Sequence, residues 1–434
     1  MKIVFLTPGT GSYYCGACMR DNMLARELLR TGHDVTIAPM YLPLMIDADR
    51  IPGLEQTPIF FGGINIYLQQ KLPLFRGTPA FLDRLLNGKG LLRWAARHSH
   101  MTSARDHGEM ALQMLEIEGS PFRKEVDKLF EWLGAIAKPD IVCLSNALLA
   151  GFIPELKRRL GVPVVAFFQG EDTFLDGLPE PFRTRCWTSM ARHLAGADSL
   201  LAPSRFYASF IGERLSLAPG AIAVVSNGIA LDGYTPAEKP ATPPAIGYLA
   251  RMSRDKGLDI LVDAFIALAC DLGDATTRLK IAGAATAGDD GFIAQQKRRL
   301  AEVGLTARVE WMPNLSREQK TDFLRGLTLF SVPTIYAEAF GLYVIEAMAS
   351  GVPVVQPDSA AFPEIIGTAG GGLCVPPRDP AALARAWQQL LRDPARRQQL
   401  AREGRASAEK NFSSRAMSEQ FLQTIERLTR APAR

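Results

Sequence analysis

Short apolar runs alternate with amphipathic stretches from the start of the chain. Lys2–Thr7 (KIVFLT) is a run of the kind that forms a strand buried on both faces. A glycine-containing segment follows it, then a helical pattern at about Cys18–Thr31 and a second apolar run at Asp34–Ala38. This order predicts a β-α-β unit at the amino terminus.

The same alternation continues in two series. The other predicted strands of the first half are Asp140–Leu144, Val162–Phe168 and Ser199–Ala202, with a helix at Gly151–Leu160. After a proline-rich loop at about 235–244, the predicted strands of the second half are Ala245–Ala250, Arg278–Gly283, Ala307–Met312, Thr328–Val332 and Val352–Gln356. The pattern predicts an α/β protein with two doubly wound, Rossmann-like parallel sheets and a ligand cleft between the two domains.

Length and charge narrow the class of protein. A chain of 434 residues exceeds the size of about 250 to 300 residues at which chains usually split into domains, and 47% apolar residues are enough for large cores. The net charge of +4 is spread along the chain, so no nucleic-acid partner is indicated, and no obligate protein partner is evident either. The basic clusters 157–159 and 297–299 are interpreted as solvated helix ends, with weak contact to an anionic membrane as the alternative.

The sequence also predicts a location. No apolar run approaches the ~20 residues of a membrane span, and no signal-peptide core follows Met1. Six cysteines in a chain of this length fit a reducing compartment better than a disulfide framework. We therefore expect a cytoplasmic protein.

The strongest chemical signal lies between residues 338 and 355, after a predicted strand. The pattern is that of a turn followed by a helix, and three backbone amides at the helix start can bind an anion: those of Phe340, Gly341 and Leu342. Glu338 in the turn and Glu346 one helical turn later offer carboxylates to hydroxyl groups. The alternative is that both glutamates are merely solvated near a helix start, where negative charge is favoured.

A pair of cations follows the predicted strand Ala245–Ala250. Arg251 offers a planar fork to phosphate oxygens, and Lys256, next to Gly257, offers a point charge. Together they suit the two negative charges of a diphosphate.

These blocks resemble the family 4 retaining glycosyltransferases, which have the GT-B architecture. The resemblance covers most of the chain and includes Arg251, Lys256-Gly257 and the segments 30–35, 225–229, 279–283 and 338–355. It implies the transfer of a hexose-type sugar from a UDP- or GDP-linked donor to an acceptor that the sequence does not identify. It implies no metal and no other cofactor.

The resemblance also implies residue roles in donor binding. Arg251 and Lys256 would hold the diphosphate, Glu346 the ribose and Glu338 the transferred sugar. The backbone of Phe340 to Leu342 would join them. Gly16 would let an amino-terminal loop approach the phosphates or the acceptor.

Several positions depart from the family pattern. Gln169 stands where the family usually places a histidine that touches the donor sugar, and Cys15 replaces a glycine. Tyr343 replaces a usual proline, and Ala339 a usual glycine. Glutamine still binds a hydroxyl but does not ionise near neutral pH, so the choice of donor sugar stays open.

The expected domains are 1–222 for acceptor binding, 223–411 for the nucleotide sugar, and 412–434 as a helix returning to the first domain. A helical insertion at about 60–138 is predicted either to serve the acceptor side or to cap the sheet. His98, His100 and His107 within it lack the spacing of metal ligands.

Other functions stay open on the sequence alone. A nucleotide-sugar epimerase or hydrolase, or a non-catalytic sensor, would keep the same phosphate site. Cys15 and Cys18 have the spacing of a thioredoxin-like redox pair at a helix start. Asp47 and Asp49 mimic the metal-binding pair of another glycosyltransferase fold but precede a loop sequence, so no divalent metal is expected.

Overall fold

The computed structural model describes residues 1–8, 16–40, 60, 104–286 and 288–430. Contacts divide the chain into two compact units. The first comprises Met1–Pro203, Ala208–Ser226 and Met417–Arg434, and the second comprises Ser204–Tyr207 and Asn227–Ala416. Each unit contains a parallel six-stranded sheet with flanking helices. The predicted α/β class with two doubly wound sheets is confirmed.

The first sheet has the strand order 2-1-3-4-5-6. Its strands are β1 Lys2–Thr7, β2 Asp34–Pro39, β3 Ile141–Leu144, β4 Val164–Phe167, β5 Ser199–Ala202 and β6 Ile222–Val224. The helices along this half are α1 Gly16–Arg30, α2 Ala104–Leu115, α3 Arg123–Trp132, α4 Ile153–Leu160, α5 Glu171–Asp176, α6 Phe182–Leu194 and α7 Arg205–Arg214. Strands β3 and β4 are buried at every residue, as expected of a parallel sheet covered on both faces.

The second sheet has the order 12-11-10-7-8-9. Its strands are β7 Ala245–Leu249, β8 Arg278–Gly283, β9 Val309–Pro313, β10 Leu329–Phe330, β11 Val354–Pro357 and β12 Gly372–Val375. The helices are α8 Leu258–Ile266, α9 Asp290–Glu302, α10 Arg317–Arg325, α11 Leu342–Ala349, α12 Phe362–Ala369, α13 Pro380–Arg392, α14 Pro394–Asn411 and α15 Ser414–Arg430. This is the strand order of a Rossmann fold, with its switch point between β7 and β10.

Short irregular turns complete the two units. The 3₁₀ turns lie at Ile117–Gly119, Ala147–Phe152 and Thr306–Arg308, and α3 and α8 continue as π-helical turns at Leu133–Ala137 and Ala267–Asp271. The predicted helix at 151–160 therefore begins as a 3₁₀ turn before α4.

The carboxyl-terminal helix α15 packs on the first sheet from Met417 onward. The ring of Phe421 lies 6.1 Å from that of Phe5 on β1 and 5.8 Å from that of Phe167 on β4, measured between centroids. Phe421 and Ile425 are fully buried in the core of the first unit. The polar face of the helix is left for solvent, as an amphipathic helix requires.

The sequence analysis did not predict two edge strands, β6 and β12. β6 pairs with β5 in the register Leu200 to Ile222, so the first sheet continues to Val224, past the predicted boundary at 222. β12 is only partly buried and begins with Gly372. β6 lies in a short apolar run, 221–225 (AIAVV), that the sequence analysis did not assign to a strand.

Part of the predicted insertion at 60–138 is helical. Helices α2 and α3 lie within it, whereas residues 61–103 fall outside the described residues. Cys15, Asp47, Asp49, His98 and His100 fall outside them as well. The predictions made for those positions stay predictions.

The first basic cluster is largely neutralised within its own unit. Lys157 is paired with Asp198, and Arg158 contacts Glu155 at 2.7 Å. Arg159 contacts Asp127 at 2.6 Å. Within the described part of the chain, no helix has the length and apolar character needed to cross a membrane.

A buried polar network joins α1 to the carboxyl ends of β1 and β3. Arg20 and Asp21 are 1% and 0% exposed and form an ion pair at 2.8 Å. Arg20 also donates to the carbonyl of Ser145 at 2.9 Å and lies 3.9 Å from the ring centroid of Phe167. The hydroxyl of Ser145 donates to Asp21. Burial raises the pKa of Asp21, against the opposing charge of Arg20.

We predict that Asp21→Ala destabilises the protein strongly. The substitution leaves the Arg20 guanidinium buried without its charge partner, which typically costs about 3–5 kcal/mol of the free energy of unfolding. Urea denaturation measures the loss. Glu27→Ala on the same helix is the control, because its partner Arg30 is 65% exposed and such pairs contribute at most about 1 kcal/mol. Equal losses in the two variants would contradict the interpretation.

Candidate functional site

The switch point of the second sheet brings two distant segments of the chain together. β7 and β10 pair in parallel, with Leu329 opposite Ile246. The chain therefore leaves both strands at the same edge, toward Arg251–Lys256 after β7 and toward 333–346 after β10. Ligands bind at this edge in sheets of this kind.

Gly257 allows the two segments to pack closely. It has a φ of +70°, and a Cβ at this position would overlap the carbonyl of Pro333. The backbone N–H of Ile335 donates to the carbonyl of Asp255 at 3.0 Å, and the hydroxyl of Thr334 donates to the same carbonyl at 2.9 Å. Only glycine fits this left-handed position beside another backbone.

Lys256 and Glu338 meet at the centre of this edge. The ammonium of Lys256 lies 2.7 Å from Oε2 of Glu338, and both side chains are mostly buried. The hydroxyls of Tyr336 and Tyr343 each donate to the same oxygen at 2.8 Å. Burial and the negative charge of Glu338 raise the pKa of Tyr343 well above its usual range, so its hydroxyl remains a donor.

Glu346 on α11 is held in a second cluster. Its Oε1 accepts from Tyr234 at 2.8 Å and from Lys320 on α10 at 2.6 Å. Burial, followed by the charge of Glu346, raises the pKa of Tyr234. Among the described residues, none donates to Oε2 of Glu346, which leaves that oxygen for a ligand.

Arg251 is positioned by Asp289, which lies just before α9. The guanidinium contacts the two carboxylate oxygens of Asp289 at 3.0 and 3.3 Å, while 53% of the Arg251 side chain stays exposed. Burial raises the pKa of Asp289, but hydrogen bonds from Thr286 and Arg251 outweigh it and hold the pKa below its usual range. The cation is therefore oriented yet accessible.

The start of helix α11 has the geometry of an anion site. Gly341 precedes it with a φ of +88°, and a Cβ there would lie 2.9 Å from the ring of Phe362. The first helical hydrogen bond runs from Val344 to the carbonyl of Gly341 at 2.9 Å, so the amide of Leu342 precedes it in the open first turn. Phe340 is 3% exposed, and its ring packs on Phe412 at 5.9 Å.

A cavity of about 450 Å³ opens beside Arg251. Its lining includes Ser253, Arg254, Asp289 and Phe292. The guanidinium of Arg254 lies 5.3 Å from the ring centroid of Phe292. Most of the lining residues are polar or charged, and Arg251 and Arg254 are among them.

The two predicted residues of the first unit lie near the carboxyl edge of its own sheet. Gly16 is the exposed first residue of α1, and Gln169 follows β4. The backbone of Gln169 donates to the carboxylate of Glu171 at 2.8 Å, and Ala147 donates to the same carboxylate at 3.0 Å. Burial raises the pKa of Glu171. Glu171 thus holds the loop that carries Gln169.

Comparison with known families agrees with this geometry. Residues 235–407 match the model described as "Glycosyl transferases group 1", and residues 19–228 match "Glycosyl transferase 4-like domain". The chain belongs to the group 1 glycosyltransferases.

Curated relatives of this glycosyltransferase include two bacterial enzymes. A D-inositol 3-phosphate glycosyltransferase of Streptomyces avermitilis is 29% identical over 50% of this chain and 48% of its own. The lipopolysaccharide core biosynthesis mannosyltransferase LpsB of Rhizobium meliloti is 32% identical over 46% of this chain and 54% of its own. The chain thus spans about half the length of these relatives.

Solved structures confirm the GT-B fold. Sucrose-phosphate synthase from Thermosynechococcus elongatus has a TM-score of 0.70 at 19% identity, covering 99% of both chains. Anabaena HepE in complex with UDP has a TM-score of 0.68 at 16% identity, covering 98% of this chain and 100% of its own. At these identities the likeness concerns the fold.

The structure places the charged predicted site residues of the second unit in three groups. Lys256 and Glu338 are in direct contact, whereas Arg251 and Glu346 each have a partner of their own. The sequence analysis missed those partners, which are Asp289 for Arg251 and Tyr234 and Lys320 for Glu346. It also missed Tyr336, which donates to Glu338. Tyr343 was noticed only as a departure from the family pattern.

The structure describes some of the residues on which the alternative redox and metal-site interpretations depend. Cys18 is buried, and its sulfur lies 3.7 Å from the hydroxyl of Thr7, while its predicted redox partner Cys15 lies outside the described residues. His107 is described and lies on α2. In the part of the chain that the structure describes, no group of three or more potential metal ligands occurs.

We predict that Lys320→Ala destabilises the second unit through Glu346. The change leaves a carboxylate that is only 7% exposed without its cation, and an unsatisfied buried charged group costs about 1–3 kcal/mol or more. Urea denaturation of Lys320→Ala and of the double variant Lys320→Ala/Glu346→Gln tests this. Most of the stability should return in the double variant, because its amide carries no charge. A double variant as unstable as Lys320→Ala would contradict the role of the ion pair.

Proposed function

We propose that this protein transfers a hexose-type sugar from a nucleotide diphosphate sugar to a hydroxyl acceptor, with retention of configuration. The observation that carries the proposal is the contact of Lys256 with Glu338 at the switch point of the second sheet, beside the anion site at the start of α11. A cation, a carboxylate and helix-start amides at one strand edge suit a diphosphate joined to a sugar.

The proposed chemistry is electrostatic. Lys256 uses two of its three N–H groups on Tyr336 and Glu338 and keeps one for a phosphate oxygen. Arg251 uses Nε and one terminal nitrogen on Asp289, which leaves donors for a second phosphate oxygen. Preorganised cations of this kind stabilise the charge that develops on a departing diphosphate. We propose that the reaction needs no divalent metal.

Glu346 is proposed to bind the ribose of the nucleotide. Since Oε1 already accepts from Tyr234 and Lys320, the ribose hydroxyls would share the two lone pairs of Oε2. The cavity beside Arg251 would receive another part of the nucleotide. Phe340, Gly341 and Leu342 would contribute backbone contacts to the donor.

We propose a UDP- or GDP-linked hexose as the donor, and the comparisons support UDP and a hexose. HepE has been solved in complex with UDP-glucose, and LpsB is a mannosyltransferase. We propose that Gly16 lets its loop approach the phosphates or the acceptor and that Gln169 contacts the transferred sugar. We also propose a cytoplasmic location, supported by the thiols of Cys143, Cys186, Cys270 and Cys374, which are not in disulfides.

We predict that Lys256→Ala lowers kcat by about 100- to 1000-fold, because removal of one preorganised donor typically costs about 2.7–4 kcal/mol of transition-state stabilisation. Release of nucleoside diphosphate is followed with UDP-glucose and GDP-mannose over a panel of acceptors. Lys239→Ala is the control, because Lys239 is an exposed lysine of the same unit.

The same assay distinguishes the alternatives. Release that depends on an acceptor supports transfer, whereas release without acceptor supports a hydrolase. An altered sugar with no release supports an epimerase, and binding without turnover supports a sensor. Unchanged turnover in Lys256→Ala would remove this lysine from the site.

We predict that Glu346→Ala weakens the binding of the nucleoside diphosphate by about 10- to 100-fold. Hydrogen bonds to a charged group contribute about 1.5–3 kcal/mol, and each 1.4 kcal/mol is a factor of ten. Titration calorimetry with UDP and GDP measures the loss, and Glu318→Ala, an exposed glutamate on α10, is the control. Unaltered affinity in Glu346→Ala would refute the ribose role.

A further inference from the structure

Three donors converge on a single oxygen of Glu338. Lys256 contacts Oε2 at 2.7 Å, and the hydroxyls of Tyr336 and Tyr343 reach the same atom at 2.8 Å each. Among the described residues, none donates to Oε1. A carboxylate that only needed to be neutralised would not require both tyrosines on the oxygen that already faces the ammonium.

The two tyrosines hold the carboxylate in different ways. The hydroxyl of Tyr336 accepts from Lys256 and donates to Glu338, so these three side chains form a closed ring of contacts. The ammonium also lies 4.5 Å from the ring centroid of Tyr336. Tyr343 donates to Glu338 alone.

The ring of Tyr343 has little freedom to move. Its centroid lies 6.2 Å from that of Phe330 at the end of β10 and 6.4 Å from that of Phe362 on α12. Tyr343 is also the second residue of α11, so the sheet, two helices and an aromatic cluster set the position of its hydroxyl. A hydroxyl held this firmly fixes the group to which it donates.

We propose that Tyr336 and Tyr343 are positioning residues that lock the Glu338 carboxylate through Oε2 and thereby present Oε1 as a single acceptor to the transferred sugar. The inference rests on the proposed function, because it assumes that Glu338 contacts the sugar. With the carboxylate locked, one hydroxyl of the sugar finds its acceptor in place before the reaction.

The first test is kinetic and uses Tyr343→Phe, which removes one hydroxyl and keeps the ring. We expect kcat with UDP-glucose or GDP-mannose to fall by about 10- to 100-fold, since a misplacement of about 1 Å at a reacting centre can cost about 100-fold. The affinities for UDP and GDP should stay within about twofold, because Glu346 and Arg251 are untouched. Unchanged kcat would overturn the proposal.

The second test asks whether the tyrosines act through Glu338. In a double-mutant cycle, Tyr343→Phe should have no further effect in the Glu338→Ala background, which removes both carboxylate oxygens, whereas independent effects would add. Tyr336→Phe should keep a residual effect there, because its hydroxyl also contacts Lys256. Additive effects of Tyr343→Phe and Glu338→Ala would overturn the positioning role.

A matched control separates positioning from stability. Ser331 follows β10 and accepts from Trp387 at 2.9 Å, so Ser331→Ala removes a buried hydrogen bond of the same unit without touching Glu338. The midpoint temperature of thermal unfolding should fall by similar amounts in Ser331→Ala and Tyr343→Phe. Only the tyrosine variant should have a lower kcat. Equal kinetic losses would overturn the proposal.

Binding supplies a readout that does not require turnover. The ratio of affinities for UDP-glucose and UDP, and for GDP-mannose and GDP, isolates the contribution of the sugar. We expect Tyr343→Phe to reduce this ratio and Ser331→Ala to leave it unchanged. If the unmodified protein neither turns over a donor nor favours the sugar-linked nucleotide, the proposed function itself fails and the inference fails with it. A functional protein with an unaffected Tyr343→Phe variant refutes the inference alone.

Discussion

The second unit depends on the change of direction at the centre of its sheet. β7 and β10 lie side by side in the sheet, and the chain leaves them toward helices on different faces. The loops that follow the two strands therefore diverge from the same edge of the sheet. Residues 251–257 and 333–346 come together there although about 80 residues separate them. Gly257 makes the approach possible, because any side chain would overlap the carbonyl of Pro333.

Glu338 and Glu346 accept hydrogen bonds from similar sets of donors. In each, one carboxylate oxygen accepts from a lysine and from at least one tyrosine hydroxyl, while no described residue donates to the other oxygen. Burial would disfavour these carboxylates if they were unpaired, and the lysines offset that cost. The tyrosine hydroxyls add further hydrogen bonds to the charge pairing. The result is a pair of acceptors whose open oxygens are set before a ligand arrives.

The first unit uses burial for a different purpose. Arg20, Asp21 and Ser145 join α1 to the ends of β1 and β3, at the edge where its sheet also changes direction. This network compensates its own charges and keeps them from solvent. It therefore secures the start of α1, where Gly16 lies, while Glu171 secures the loop that carries Gln169.

The amino-acid sequence by itself determined the fold class, ten of the twelve described strands and the segments that carry Arg251, Lys256, Glu338 and Glu346. These features depend on contiguous residues: a buried strand is a run of apolar side chains, and a helix-start anion site is a turn with glycine before a helix. The short edge strands β6 and β12 were not predicted, although β6 lies in the apolar run 221–225 (AIAVV).

Only the tertiary structure decided which side chains hold the glutamates. Tyr234 lies 112 residues from Glu346, and Lys256 lies 82 residues from Glu338, so no local pattern records these contacts. From the sequence, a tyrosine is known only to have an apolar ring and a hydroxyl. Its position among the strands and helices of the folded protein decides whether that hydroxyl contacts a carboxylate or solvent. The sequence alone therefore located the candidate residues at strand ends and at a helix start, and tertiary packing determined which carboxylate oxygen of Glu338 and of Glu346 accepts from the described residues.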